Sequence, residues 1–291
     1  MRIDKLAVWL NTIGYRSADL VAFAQRLEGW GYGTLWINDG MGSDPMVLAA
    51  RILAGTERLQ VALGVANIYS RDPTMMIGAQ YGLNEQWGDR FLLGLGASHG
   101  FIVEEMRGHS YGKPVATMRA YLEAMDKVQY GGPPPAEKPR RVIAALGPKM
   151  LELARDHADG AHPFATTPGH TAVARGILGP GKLLLVEQKV LLESDAETAR
   201  GLGRELAGGL AGIPNYRASL ERMGFTDADF ADGVSDRAAD AILAWGDEAA
   251  IRRRIQEHWD AGADQVAVQV VARGGGLLTR EDEAVLELLA R

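Results

Sequence analysis

The residues best placed to do chemistry in this chain are short clusters of aromatic, amide and small side chains where apolar runs end. In chain order they are Trp9-Leu10-Asn11, Asn38-Asp39-Gly40, Gly64-Val65-Ala66-Asn67, Ser98-His99-Gly100, the segment Ala145 to Lys149, His162-Pro163-Phe164 and Gln188. Aromatic rings suit stacking on a planar ligand or enclosing an apolar one. The six histidines, His99, His109, His157, His162, His170 and His258, are scattered without a His-x-His pair. They do not describe a catalytic metal site. Two clusters look like anion cradles. "GLGASHG" at 94–100 lets backbone approach a ligand, and "ALGPKM" at 145–150 leads into a helix with Pro148 near its first turn and a cation at Lys149. Free N–H groups at a helix start bind phosphate. Each motif alone is equally what a tight turn needs; together, at neighbouring strand ends, they favour a phosphorylated ligand.

Stepping from these clusters to the elements that carry them, one unit recurs: an amphipathic helix ends near a glycine and an apolar strand follows. It is seen in "LEGWGYGTLWIND" (27–39), "LNEQWGDRFLLGLGAS" (83–98), "LARDHADGAHPF" (153–164) and "HWDAGADQVAVQVV" (258–271). Gly31, Gly88, Gly160 and Gly262 are the expected helix ends, because glycine takes the left-handed conformation there at little cost. Strands are predicted near 5–10, 34–39, 59–66, 91–97, 141–146, 160–164, 182–192 and 265–271. Eight such strands, several apolar on both faces, fit a TIM (β/α)8 barrel. A doubly wound open sheet is the alternative, but no Gly-x-Gly-x-x-Gly turn follows the first strand. "GGPPPAEKP" at 131–139 reads as a surface loop. The stretch from about 195 to 246 is longer than one barrel helix and is placed as a helical insertion between strands seven and eight. In "LGVANIYSRDP", Asp72 and Pro73 suit the start of a helix, while Arg71 has no role visible in the sequence.

Composition narrows the function. With 291 residues and 47% hydrophobic content, the chain can bury a core large enough for one domain spanning 1–291. A net charge of -6 leaves no basic footprint for nucleic acid. There is no cysteine, so disulfides, thiolate metal sites and cysteine nucleophiles are excluded. The apolar run at the start is too brief for a signal peptide, and no window reaches membrane-spanning length, so a cytoplasmic location and no membrane partner are expected. The substrate expected on these grounds is a small molecule.

The combination of "WGYGTLWIND", "GVANIYSRDP", "GLGASHG" followed by "YGKPVATMRAYLEAMD", "ALGPKMLELARDHADGAHPF" and "GIPNYRASLERMGF" resembles the luciferase-like monooxygenase superfamily. Within it, the resemblance is to actinobacterial oxidoreductases that use the deazaflavin coenzyme F420. It implies a TIM barrel with an insertion, a homodimer, and a flavin or deazaflavin ring over the barrel mouth. The cofactor-binding residues it implies are Asn38, Asp39, Gly64, Val65, Ala66, Asn67, Ser98, Gly147, Pro148, Lys149 and Met150, with a cis peptide bond between Gly64 and Val65 behind the ring. Asp39 stands where relatives place an acid against the ring, but Gly40 replaces the histidine that often follows. His99 is the nearest titratable replacement and suits proton transfer near neutral pH; Glu104 and Glu105 are further candidates. Asp39 and His99 are therefore the expected catalytic pair. Trp9, Tyr69, Tyr111 and Phe164 are expected to line the substrate pocket, whereas Trp36, inside a strand, is equally a core residue. The activity implied is hydride transfer between the cofactor C5 and a small organic substrate. An FMN-dependent monooxygenase and a non-catalytic flavin- or deazaflavin-binding protein are the alternatives.

Overall fold

Short apolar runs buried on both faces build the frame of this protein. The computed structural model describes residues 2–40, 43–231 and 233–291. Its strands are β1 (Leu6–Leu10), β2 (Thr34–Ile37), β3 (Gln60–Leu63), β4 (Ala66–Asn67), β5 (Phe91–Gly96), β6 (Arg141–Ile143), β7 (Gly160–Ala161), β8 (Leu183–Leu192), β9 (Leu243–Gly246) and β10 (Gln265–Val270). The first helices are α1 (Ser17–Trp30), α2 (Pro45–Ala54), α3 (Pro73–Trp87), α4 (Pro114–Asp126), α5 (Pro148–His157) and α6 (Pro168–Leu178). They are followed by α7 (Ala196–Ala211), α8 (Pro214–Arg222), α9 (Asp236–Ile242), α10 (Glu248–Asp260) and α11 (Arg280–Leu289).

Among the described residues, eight parallel strands in the order β1-β2-β3-β5-β6-β7-β8-β10 close on themselves, because β10 pairs with both β8 and β1. This is a TIM barrel. One parity of each strand faces the lumen, where Ala7, Trp9, Trp36, Ala62, Leu92, Val142, Leu185 and Ala267 pack together. The other parity, including Val8, Leu35, Val61, Leu93, Ile143, Val186 and Val268, packs against the helices. Two indoles fill the lumen because their neighbours are alanines. The Trp36 Nε1–H donates to Gln265 Oε1 at 2.8 Å, and Gln265 in turn donates to the Asp4 carbonyl. The helix ring closes where α11 meets α1: Arg26 grips Glu283 with two bonds of 2.9 and 2.6 Å, and the Tyr32 hydroxyl donates to the Leu286 carbonyl.

Several expectations are corrected. The third strand does not run unbroken to residue 66. It stops at Leu63, crosses a cis Gly64–Val65 bond and resumes as β4, which pairs with Leu95 and Gly96 of β5. The insertion is helical only as far as Ile242. Leu243–Gly246 is strand β9, paired in parallel with Lys189–Leu192, the half of the long β8 that extends toward the mouth. Gly160 is not a helix end; α5 stops at His157, and Gly160 lies in β7, where an added Cβ would sit 2.1 Å from the Leu183 carbonyl oxygen. Gly31 and Gly88 do end α1 and α3 as expected. Among the described residues, no helix is long and apolar enough to cross a membrane.

Gly94 is as crowded as Gly160: a Cβ there would lie 1.9 Å from the Leu63 carbonyl oxygen, whereas one on the helical Gly78 meets nothing within 4 Å. Gly94→Ala is therefore expected to lower the unfolding free energy by about 2 kcal/mol by overpacking. Gly78→Ala should raise it by about 0.5–1 kcal/mol through helix propensity. Urea denaturation of both variants checks the pair, and an unperturbed Gly94→Ala protein would contradict the packing described.

Candidate functional site

Strand ends converge at the C-terminal face of the barrel on a cleft with two connected lobes. The inner lobe, about 320 Å³, reaches Trp9, Asn38, Asp39, Gly40, Gly64, Asn67 and Arg107. The outer lobe, about 580 Å³, runs along Tyr111, Ala145–Met150, Asn215, Ala218 and Arg222. Val65, Gly96, Ser98, His99, Ala144, His162, Phe164 and Tyr216 line both. The structure thus brings together most of the residues that the sequence singled out, including Gly147, Pro148, Lys149 and Met150. A separate polar cavity of about 470 Å³ lies around Arg141 and Lys182 at the opposite strand ends, away from where barrels place their ligand sites.

The polar rim is built from cross-braced amides. Asn38 accepts from both the Thr12 N–H and its hydroxyl and donates to Asn11 Oδ1. Asp39 Oδ2 accepts from the Asn67 N–H at 2.9 Å and the Ser70 hydroxyl at 3.4 Å, tying the end of β2 to β4. Burial pushes the Asp39 carboxyl above its usual range, and the Asn67 N–H and the Arg107 charge oppose that shift. Asn67 lines the cleft, yet its Oδ1 is taken by the Tyr69 N–H, a local side-chain turn. An added Cβ on Gly40 would come within 2.7 Å of the Ile13 side chain, so a histidine at this position requires Ile13 to move.

Two expected residues stand back from the cleft. Ala66 is buried and paired within β4. Tyr69 supports the wall from behind: its ring lies 6.0 Å from that of Tyr111, and its hydroxyl accepts from the Gly112 N–H. Tyr111 does line the outer lobe and donates to the Ser98 carbonyl at 3.2 Å. Arg71 gains a role. Its guanidinium pairs with Asp44, the N-cap of α2, while its carbonyl accepts from the Tyr121 hydroxyl, so it clamps the loop between β4 and α3.

His99 lies between Phe101, parallel at 6.0 Å, and Tyr216 at 5.8 Å. Burial lowers its pKa, and the hydrogen-bonded Asn215 side chain opposes this. Deeper in, His162 is stacked on Trp36 with centroids 4.0 Å apart and an interplanar angle of 8°. Its Nδ1 donates to the Leu185 carbonyl at 2.7 Å, and burial pulls its pKa down to about 4. Beneath Phe164 lies a buried ion pair: Lys189 Nζ is 3.1 Å from Glu187 Oε1 and 3.9 Å from the Phe164 ring centroid, while Glu187 Oε2 accepts from the Ala165 N–H. Burial depresses the Lys189 pKa. Desolvation and the Glu187 charge raise that of the Tyr216 phenol.

Sequence reasoning assigned no role to Arg107, Asn215, Tyr216, Arg222, Glu187 or Lys189, and placed His162 at a strand end without a function. Signals were present for some. Asn215, Ala218 and Arg222 fall at i, i+3 and i+7, one face of α8. Glu187 and Lys189 share the lumen-facing parity of Leu185. Gln188 has the other parity, and its Oε1 accepts from the His258 Nε2–H in the helix layer instead of facing the mouth.

Among the described residues, no group of three or more histidine or acidic side chains is arranged to hold a metal. A planar ligand with an anionic tail fits better. Val65, Gly96 and Ala144 form a small-residue shelf across both lobes, and α5 begins without a side-chain cap beside Lys149 and Arg222. Buried Trp9 Nε1, His162 Nε2 and Arg107 Nε have no hydrogen-bond partner among the described residues. The closed barrel with its cleft and inserted helices defines a TIM-barrel protein whose mouth has room for such a ligand. Residues 4–176, more than half of the chain, match the luciferase-like monooxygenase family, and the chain belongs to it as an oxidoreductase.

Relatives support the placement. The 5,10-methylenetetrahydromethanopterin reductase of Methanolobus tindarius is 27% identical over 84% of this chain and 87% of its own. A Mycobacterium tuberculosis (strain ATCC 25618 / H37Rv) protein, provisionally named a coenzyme F420-dependent oxidoreductase, is 25% identical over 97% of each chain. The structure of the coenzyme F420-dependent tetrahydromethanopterin reductase from Methanopyrus kandleri superposes with a TM-score of 0.77 over 99% of this chain and 97% of its own. At 17% identity, that is a likeness of fold.

The buried imidazoles carry a pH signature. His162 and His258 resist protonation in the fold down to about 4 and about 3, whereas an unfolded histidine takes its proton near pH 6.5. Their contribution is complete above neutrality and is lost as pH falls below that unfolded value, by roughly 2–3 kcal/mol each near pH 4.5. Urea midpoints at neutral and acid pH, compared between the natural protein and a His162→Phe variant, check this. The variant should lose less stability on acidification, and equal losses would contradict it.

Proposed function

We propose that this protein is a coenzyme F420-dependent oxidoreductase that transfers a hydride between the cofactor C5 and a small organic substrate. The observation that carries the reading is the joined cleft. A flat shelf of Val65, Gly96 and Ala144 leads to the uncapped start of α5, with two cations, Lys149 and Arg222, at the rim. The mycobacterial relative of matching length adds support from its name. When bound, the deazaflavin supplies the two-electron redox centre.

The chain's own residues position and shield. Lys149, Arg222 and the N–H groups at the start of α5 hold the phosphate-bearing tail. Asn38, Asp39 and Asn67 fix the polar edge of the mouth. Phe164, Tyr111 and Tyr216 exclude water. His99, whose pKa burial lowers, is neutral at physiological pH and accepts or returns the substrate proton.

Anaerobic titration with oxidised and reduced F420 and with FMN, followed by absorbance, tests the cofactor. F420 is expected to bind, and a Lys149→Ala, Arg222→Ala double variant to bind it at least about tenfold more weakly, the effect of losing charge-assisted bonds to phosphate. Affinity for FMN alone overturns the assignment. His99→Asn should lower kcat by about 10²–10⁴-fold with F420 affinity unchanged; an unaltered kcat removes the proton role.

A further inference from the structure

The inner lobe of the cleft carries a charge that the cofactor reading leaves unused. Among the described residues that line this lobe, Arg107 is the one permanent cation, and its side chain makes no hydrogen bond and no ion pair. Its Nε is closed off without a partner, whereas its two terminal nitrogens stay open to the lobe. The guanidinium of Arg71, by contrast, is paired with Asp44. A partly buried arginine is ordinarily paired, and its planar fork matches the two oxygens of a carboxylate.

The backbone holds this side chain at the mouth. Arg107 follows a single π-helical turn, Ile102–Met106, beyond the end of β5. Its N–H donates to the Ile102 carbonyl, five residues back, at 3.1 Å. Val103 is fully buried and anchors the turn, and Ile102 lines the lobe beside Arg107. Such turns are rare and recur at functional sites. The acids nearby are otherwise engaged. Asp39 lies within electrostatic reach of Arg107, yet its Oδ2 is held by the Asn67 N–H and the Ser70 hydroxyl. Glu104, on the turn itself, accepts from the Tyr111 N–H at 3.2 Å.

We propose that Arg107 is the specificity residue at the substrate end of the cleft, where its terminal nitrogens bind the carboxylate of a small organic monoanion. This rests on the cofactor reading above, which lays the ring on the shelf and leaves the inner lobe to the substrate, and it names the substrate class. The charge balance selects a carboxylate over a phosphate: one guanidinium neutralises one negative charge, and Asp39 in the same lobe repels a second. Val65, Ile102 and Phe164 give the lobe apolar walls, so the anion it prefers carries a hydrocarbon or aromatic frame. The carboxylate is the anchor. The reacting carbon is the part of the substrate directed toward Val65 and His99, where the two lobes meet.

The test titrates benzoate, cyclohexanecarboxylate, their neutral primary amides and phenylphosphonate into the F420-loaded and the cofactor-free protein at neutral pH, followed by calorimetry. In the F420-loaded protein each carboxylate is expected to bind at least about tenfold more tightly than its amide, the effect of one charge-assisted pair. Benzoate should also bind more tightly than phenylphosphonate. Arg107→Met, which keeps the apolar stem and removes the charge, should abolish the carboxylate preference, and Arg107→Lys should restore part of it, with F420 affinity unchanged in both. Equal binding of carboxylate and amide, binding of no member of the panel, or a preference that survives in Arg107→Met overturns the proposal. So does tighter binding of the phosphonate, or an Arg107→Met variant that loses F420 affinity, which would give the guanidinium to the cofactor. A carboxylate preference that depends on Arg107 in a protein that takes up no F420 would instead overturn the cofactor reading and leave the carboxylate site standing.

Discussion

The structure depends on how the lumen of a closed eight-stranded barrel is filled. One parity of every strand points inward, and the space there admits two indoles only because Ala7, Ala62 and Ala267 stand beside them. Trp36 occupies the middle, fully buried, hydrogen-bonded through its indole to Gln265 on β10 and stacked on His162 from β7. This one side chain links strands on opposite arcs of the barrel. It also sets the plane of the imidazole above it. The floor of the cleft is thus a consequence of core packing, because the imidazole that lines it is held by the layer beneath.

Around that core, the mouth is held by contacts between loops. Asp39 ties β2 to β4, and Arg71 ties the loop after β4 to the start of α2. The insertion completes the wall: α8 supplies Asn215, Tyr216 and Arg222, and β9 anchors that helical unit to the extended half of β8. The Glu187–Lys189 pair lies behind Phe164, with the ammonium against its ring and Glu187 accepting from the Ala165 N–H. A buried pair costs desolvation and is weak evidence for stability. Its evident effect is on position, because it braces the backbone and ring that separate the cleft from the strands beneath.

Much of this was legible in the sequence. All eight barrel strands follow from apolar runs and their spacing, and the Asp72-Pro73 start of α3 follows from capping chemistry. Strand β9 was not legible, because Leu243-Ala244-Trp245 adjoins α9 without a turn and pairs only with a strand distant in sequence. Gly160 misled because a helix-ending glycine and a close-approach glycine look alike until the facing carbonyl is known. Among site residues, Asp39, His99 and the Gly147–Met150 segment were readable as strand-end clusters. His162 was visible, but its setting was not: the carbonyl on β8 and the Trp36 ring that hold its imidazole come from elements distant in sequence. Arg71 and Tyr216 depend on partners brought near by the fold.

The central claim is that the joined cleft holds a deazaflavin across the Val65, Gly96 and Ala144 shelf with its anionic tail at the start of α5. A crystal structure of the protein soaked with F420 tests it most directly. The account predicts difference density for the tricyclic ring against that shelf, and a phosphate within hydrogen-bond distance of the N–H groups at the start of α5 or of Lys149 and Arg222. Density in the polar cavity around Arg141 and Lys182, or a phosphate bound at Arg107 with α5 untouched, would contradict it.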